Sequence, residues 1–476
     1  MKKIALAAGI ALLALVFASC PTGVTPEYDG PPSLRLIWED YFPMGNIAAA
    51  ITYTWRPNQS PPLPVRPADV NNTLRTALLA RHFAIITAED CMKPDLINTE
   101  AWNIRADNLA NWVRANNWRL HGHALAWHGQ TPDWMFATDT ADSGQRRAEA
   151  RANLIAHIEL VMMHQNFRDI ESWDVLNEVV ATSVSGDGTD VNQNNWRTFL
   201  RGAPGRGQSG WYASIGSSDT DPDNNCFIWI AFTTARRVAD SIGRSDMLLY
   251  YNDYNEEQPG KRMVIYYMVR EMNQRWLERP NRGNDNRPLI QVIGMQAHYP
   301  MNPGGSGLPH PWGPINPERV RDSIRQFSQL YEAQGVLISI TELDLTIGNI
   351  ESHTNPISLR DQGSGRERAQ AIMYARLFQI FREYNQYIRR VSIWGIDDPS
   401  SWRAWGSPVL WDASLQPKEA FWAVADPDAF VDPATGDPRS DADINAFLAD
   451  PRNNGTILDA NTEYARPFIP EHAWRR

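Results

Sequence analysis

Two glutamates stand where apolar runs stop. Glu178 closes Trp173-Asp174-Val175-Leu176-Asn177-Glu178, and Glu342 follows the run 336–341 in Thr341-Glu342-Leu343-Asp344. A carboxylate at the end of a core strand is costly to bury without a partner or a task. Alone, Glu178 reads equally well as a cap for the next helix or as the partner of an arginine. Other apolar runs end in polar groups too. One ends in Thr87-Ala88-Glu89-Asp90 with Lys93 behind it, and the next carries His121, His123, Trp127, His128 and Gln130. Three more end in Asn252-Asp253-Tyr254-Asn255, in Gln296-Ala297-His298-Tyr299, and in Trp394 with Asp397, Trp402 and Arg403 beyond. Stability alone does not explain so much desolvation cost gathered at strand ends. Two carboxylates, many aromatic rings and no metal-ligand spacing suit hydrolysis of a glycosidic bond. One acid protonates the leaving oxygen, and the other attacks the anomeric carbon or activates water. A hydrogen-bond donor beside Glu342 would keep it ionised. A drier or more negative setting would hold Glu178 protonated.

These ends need a scaffold that brings them to one face. The apolar runs lie at 45–50, 82–87, 120–127, 170–176, 247–252, 289–296, 336–341 and 391–395. Helical patterns alternate with them, at 70–81, 104–116, 147–165, 225–241, 261–277, from 317 onward, at 374–381 and at 417–424. The sixth helix has Asn316 as its cap and Pro317 at its first position. Its Val320, Ile324, Phe327 and Tyr331 fall at helical spacing. Eight alternations with unbroken apolar strands predict the α/β class, a (β/α)8 TIM barrel. Loop insertions at 55–67, 181–210, 301–314 and 348–365 account for its length. In such a barrel the C-terminal strand ends share one face, where chemistry is done.

The 476 residues are 43% hydrophobic and 21% charged, enough for a large core. The net charge of −10 argues against a nucleic-acid partner. Most of the nineteen tryptophans read as core aromatics, and flat rings also stack on the apolar faces of sugars. Lys2 and Lys3, the apolar run 4–17 and Ala18-Ser19-Cys20 read as an export signal over 1–20. Small residues before Cys20 make it a lipidation site, anchoring an exported protein at the cell surface; simple secretion is the alternative. Residues 21–40 read as a tether, 41–425 as the catalytic barrel and 426–476 as a short extension along it. Cys91 and Cys226 read as free thiols, and no cofactor or metal is expected.

The motifs identify a family. His123-Ala124-Leu125-Ala126-Trp127-His128 with Gln130-Thr131-Pro132-Asp133-Trp134, then Trp173 to Glu178, Tyr251 to Asn255, Gly294 to His298, Thr341 to Asp344, Trp394-Gly395 and Ser401-Trp402-Arg403 come in order. Together they resemble the glycoside hydrolase family 10 endo-β-1,4-xylanases. The resemblance implies a retaining double displacement on β-1,4-xylan or xylo-oligosaccharides by a monomer, with Glu178 as acid/base and Glu342 as nucleophile. It implies that His298 and Asp344 support Glu342 and that Asn177 meets the sugar 2-hydroxyl. By the same resemblance, His123, Trp127, Gln296 and Trp402 line the −1 subsite with Trp394 as its far wall, and Glu89, Asp90 and Lys93 hold the −2 sugar. Tyr254 belongs to the leaving-group side, and His128, Gln130 and Arg403 are further substrate-binding residues. This chain departs from the family pattern at Asp90, Cys91 and His121, where Asn, Glu and Arg are usual. Asp90 cannot donate as an amide does, which leaves xylan against β-1,4-glucan open. A non-catalytic polysaccharide-binding lipoprotein would have lost a catalytic carboxylate, and both are present.

Overall fold

The computed structural model describes residues 31–54, 65–184, 186–280, 283–301, 315–347, 364–450 and 453. The expected signal segment with Cys20, the first half of the expected tether, and much of three of the four insertions lie outside the described residues.

Eight parallel strands close on themselves. They are β1 (Met44–Ala48), β2 (Ile85–Ala88), β3 (Arg119–Gly122), β4 (Ser172–Asn177), β5 (Leu248–Asp253), β6 (Val292–Met295), β7 (Leu337–Thr346) and β8 (Ile388–Ile393). Each pairs with its successor, and β8 pairs back onto β1 with Met44 opposite Val391. Eight helices follow the strands in turn: α1 (Thr73–His82), α2 (Ile104–Ala115), α3 (Ser143–Met163), α4 (Phe227–Ser241), α5 (Pro259–Leu277), α6 (Pro317–Gln334), α7 (Ser364–Glu383) and α8 (Glu419–Ala425). Local chemistry sets their ends. The Asn72 side chain accepts from Arg75 N–H at the start of α1, and Asp142 accepts from Gln145 N–H at the start of α3. Asn316 caps α6 as expected, and Gly335 ends it in the left-handed region at φ 76°.

Alternation along the strands separates two surfaces. Outward residues such as Ile86, Val175, Ile293 and Val391 pack beneath the helices and give the runs their apolar look. The interior is polar. Thr87, His121, Asp174, Asn252, Thr341 and Ser392 are all buried, and several meet across the barrel axis. Two breaks in register matter. The β4–β5 pairing slips between Asp174 and Leu176, and the β7–β8 pairing slips between Ile340 and Leu343. A bulge turns the following side chain to the other face. Asn177 therefore shares the interior with Asp174, although the two are an odd number of residues apart. The first lies just upstream of Glu178, and the second spans Glu342.

The structure corrects several boundaries. The third strand does not run unbroken over 120–127. It stops at Gly122, the chain leaves through His123–Leu125, and Ala126–Trp127 touches β4 again separately. β7 continues to Thr346 instead of ending at 341, because a parallel pairing with residues 298–300 holds its last turn of strand. β1 ends at Ala48, and β8 begins earlier, at Ile388. Beyond α8, a helix at Asp441–Ala449 lies along α7: Arg368 pairs with Asp441 and donates to Asn445, and Phe430 and Ile444 are buried.

The opening stretch of β4 is clamped from β3. A Cβ on Gly122 would fall 2.2 Å from the Trp173 ring, which is fully buried. Gly122→Ala must therefore displace a core indole, at about 1–3 kcal/mol. Thermal unfolding of the variant is expected several degrees below the parent. An unchanged midpoint would mean that Trp173 is not held as described.

Candidate active site

Glu342 is held at both oxygens. Oε1 accepts from Asn252 Nδ2 at 2.7 Å, and Oε2 lies 3.0 Å from His298 Nε2. His298 Nδ1 lies 2.9 Å from Asp344 Oδ2. Asp344 in turn accepts from Arg403 Nη1 at 2.6 Å and from Trp402 Nε1 at 3.2 Å. Charges thus alternate from Glu342 through His298 and Asp344 to Arg403. Burial alone would lower the His298 pKa, but Asp344 and Glu342 outweigh it and raise it to about 9. Burial would raise the Asp344 carboxyl, yet Arg403 and His298 hold it below its usual range. His298 is therefore an imidazolium near neutral pH, donating to both carboxylates.

Glu178 has different company. It ends β4 with its backbone in the left-handed region, φ 59°, and its N–H donates to Asn252 O at 2.9 Å. Such a conformation costs a non-glycine residue on the order of 1 kcal/mol. Its Oε1 accepts from Gln296 Nε2 at 3.2 Å and Asn177 Nδ2 at 3.3 Å, both neutral amides. The nearest ring nitrogen, His128 Nδ1, is 4.0 Å from Oε2. Burial, with Arg201 nearby, lowers the His128 pKa to about 3, so that ring is neutral. One carboxylate faces an imidazolium and the other faces amides and a neutral imidazole. The two carboxyl groups thus stand in electrostatically unequal settings.

Asn252 joins the two. Its Nδ2 also donates to Asn177 Oδ1 at 3.1 Å, its Oδ1 accepts from Thr341 Oγ1 at 2.6 Å, and Gln296 Nε2 donates to the same Asn177 oxygen at 3.1 Å. Gly294 leaves room for this hub, since a Cβ there would fall 2.4 Å from Asn252 Oδ1. Sequence reading lists Asn252 only as a strand-end residue. The alternation from Tyr250 was the available signal for its inward direction. Arg201 was missed altogether. It comes from the 181–210 insertion, and its guanidinium donates to the Glu178 carbonyl oxygen (3.2 Å), the Thr182 hydroxyl (3.3 Å) and the Tyr254 hydroxyl (2.8 Å). Lys261 Nζ lies 3.9 Å from the centre of the Tyr254 ring.

The remaining expected residues fall around this core. The His123 ring meets Trp394 edge-on at 5.7 Å, and Trp402 stands 5.0 Å from His298. Behind His123, Asp174 Oδ2 lies 2.8 Å from His123 Nδ1 and 3.0 Å from His121 Nε2. Burial would raise Asp174, but the two imidazoles hold it well below the carboxylate range. His121, lowered to about 4 by burial and then Arg390, is neutral. Its protonated Nε2 faces Asp174, leaving Nδ1 to accept from Ser172 Oγ at 2.7 Å. Lys93 Nζ donates to Gln130 Oε1 at 2.9 Å and lies 5.4 Å from the Trp127 ring centre. Asp90 is half-buried beside them. Glu89 is placed more deeply than a sugar contact suggests: it is fully buried, with Oε2 2.8 Å from Arg66 Nε. Arg403 likewise lies behind Asp344 and not at the mouth. Cys91 and Cys226 are free and buried. Among the described residues no cluster of His, Cys, Asp and Glu could hold a metal ion.

The family model for glycosyl hydrolase family 10 matches residues 64–427. The chain belongs to glycosyl hydrolase family 10. It is 30% identical over 409 residues to an endo-1,4-beta-xylanase A of Thermotoga maritima, covering 83% of this chain but only 31% of that protein. It is 28% identical over 446 residues to a thermostable celloxylanase of Thermoclostridium stercorarium, covering 88% of this chain and 94% of that one. The intracellular xylanase of Thermoanaerobacterium saccharolyticum, solved as a mutant in complex with xylotriose, superposes with a TM-score of 0.60 at 27% identity. That match covers 83% of this chain and 99% of the other.

The raised His298 pKa makes the stability of this family 10 chain depend on pH. The ring's ordinary value is 6.5, and in the fold it is about 9. A group raised on folding contributes stability that is full below its unfolded value and is lost as pH rises through its folded value. The window is therefore about pH 6.5 to 9, and the stake is on the order of 3 kcal/mol. The parent protein's unfolding midpoint should fall across that window more steeply than that of His298→Gln. Parallel curves for the two proteins would contradict the charged assignment.

Proposed function

We propose that this chain is an endo-acting β-1,4-xylanase that retains anomeric configuration, with Glu342 as nucleophile and Glu178 as acid/base. The observation that carries the reading is the unequal setting of the two carboxyl groups: His298 pairs with that of Glu342, while that of Glu178 accepts from the neutral amides of Gln296 and Asn177. In the first step a Glu342 oxygen forms a bond to the anomeric carbon of the −1 sugar. The glycosidic C–O bond breaks, its electron pair stays on the leaving oxygen, and Glu178 gives that oxygen a proton. In the second step Glu178 takes a proton from water, the water oxygen bonds to the anomeric carbon, and Glu342 is released as carboxylate. Retention needs carboxyl groups about 5–5.5 Å apart. The short amide bridge of Asn252 and Asn177 between the two glutamates supports such a spacing.

The other roles follow the geometry. Asn177, fixed at its oxygen by two amides, has an N–H to offer the sugar 2-hydroxyl, a contact that strengthens in the transition state. His123, Trp127, His128, Gln296 and Trp402 line the −1 subsite with Trp394 as its wall, and Arg403 acts from behind through Asp344. Asp90, Lys93 and Gln130 meet the −2 sugar, with Glu89 a support beneath them. Tyr254, steadied by Arg201, offers its ring to the leaving sugar. The celloxylanase relative and the acidic Asp90 favour one second reading, cleavage of β-1,4-glucan by the same machinery.

Glu342→Ala should lower hydrolysis of xylan at least about a thousandfold, as expected for loss of a nucleophile, with the fold retained by circular dichroism. Near-parental release of reducing sugar by the variant would remove Glu342 from that role. With the parent protein, mixed oligosaccharides from xylan and little release from soluble cellulose are expected. Equal rates on both would favour the glucan reading.

A further inference from the structure

The end of the barrel opposite the two glutamates carries a second group of charges. A cavity of about 680 Å3 opens there against the first residues of three strands, Arg119, Leu248 and Leu337, against Arg389, the second residue of β8, and against Glu171 just before β4. Glu171 is shared: its Oε1 accepts from Arg119 Nη1 at 3.1 Å and from Arg389. The other acids of the cavity are already matched. Asp169 accepts two hydrogen bonds from Arg114, and Asp246 accepts two from Arg244.

One residue further along β8, Arg390 is 1% exposed, and none of its guanidinium nitrogens has a hydrogen-bond partner among the described residues. The group lies over the Tyr250 ring, 5.1 Å from its centre. The Tyr250 hydroxyl accepts from Ser339, which pairs with Arg390 across the β7–β8 ladder. Tyr250 and Ser339 stand two residues beyond Leu248 and Leu337, which line the cavity. Alternation therefore puts Arg390 in the layer directly above it, inside the barrel.

A guanidinium does not lose its proton. A buried one without a hydrogen-bonded counter-charge is strongly disfavoured. Attraction to the Tyr250 ring offsets only part of this. Glu171 Oε2 is also buried and unpartnered, yet one carboxylate cannot balance Arg119, Arg389 and Arg390 together. We propose that this end of the barrel is an anion site. A small oxyanion enters from the cavity, is held by Arg390 from within, and is flanked by Arg119 and Arg389. The planar guanidinium fork suits phosphate and carboxylate alike. Inorganic phosphate and the carboxylate of an acidic sugar are the two sources of that chemistry. The site does not depend on the roles of Glu178 and Glu342.

The test is thermal unfolding of the full chain in inorganic phosphate and, separately, in glucuronate, each against chloride at equal ionic strength. A saturable rise of about 3–5 °C over chloride is expected near a hundredfold excess over Kd. The rise should vanish in Arg390→Met and shrink in Arg389→Gln, and Arg389→Gln alone decides the matter where the buried variant does not fold. A response to phosphate alone assigns the free ion, and a response to glucuronate assigns the sugar acid. No rise over chloride with either anion, or an equal rise in the variants, overturns the proposal.

Discussion

The site depends on one buried run of alternating charge: Glu342, His298, Asp344 and Arg403. The His298 imidazolium lies between the two carboxyl groups, and Arg403 backs Asp344, so the buried charges have opposite neighbours. Removing one member of such a run leaves a buried charge exposed to that penalty, typically about 3–5 kcal/mol. The arrangement therefore fixes ionisation and orientation together. It also sets Glu342 apart from Glu178, which is held by amides of Asn177 and Gln296 and lies near a His128 that burial keeps neutral. On the proposed reading, the division of labour between the two glutamates is this difference in neighbours.

The barrel supplies the places for these neighbours. Its interior is filled with polar groups that bond one another, and this lets a strand-end carboxylate rest on amides. Asn252 shows how much depends on one inward position: it bonds Asn177, Glu342 and Thr341 at once, with Gly294 giving it space. The register slips before Asn177 and around Glu342 then choose which side chains face inward. An unbroken pleat would have sent Asn177 outward. Arg201 adds a fixed cation beside Glu178 and Tyr254. Its hydrogen bonds go to a carbonyl and two hydroxyls, so it tethers Tyr254 without bonding the Glu178 carboxylate.

Much of this was legible in the sequence. Eight apolar runs between helical patterns require a parallel sheet covered by helices, and polar residues at their ends mark one face. Glu178, Glu342, His298 and Asp344, which the structure brings close together, were all legible because each stands in a local motif that follows an apolar run. What escaped was set by three-dimensional detail. An apolar run does not show where the chain leaves the sheet, as at His123–Leu125, nor which distant segment extends a strand, as residues 298–300 do for β7 beyond Thr341. Arg201 lies in a long insertion, where spacing carries no information. Glu89 looked like a mouth residue because Arg66, its buried partner, follows a loop without pattern. Arg390 was read as part of no motif, since an arginine inside an apolar strand gives no sign of which way it points.

The central claim is that Glu342 attacks the sugar. The most direct measurement is mass analysis of the protein after reaction with a 2-deoxy-2-fluoro xylobioside carrying a good leaving group, which slows breakdown of a covalent glycosyl-enzyme. One glycosyl unit attached to the peptide bearing Glu342 is the predicted result. A label on Glu178, or hydrolysis with no covalent adduct under conditions of saturating reagent, would contradict the account.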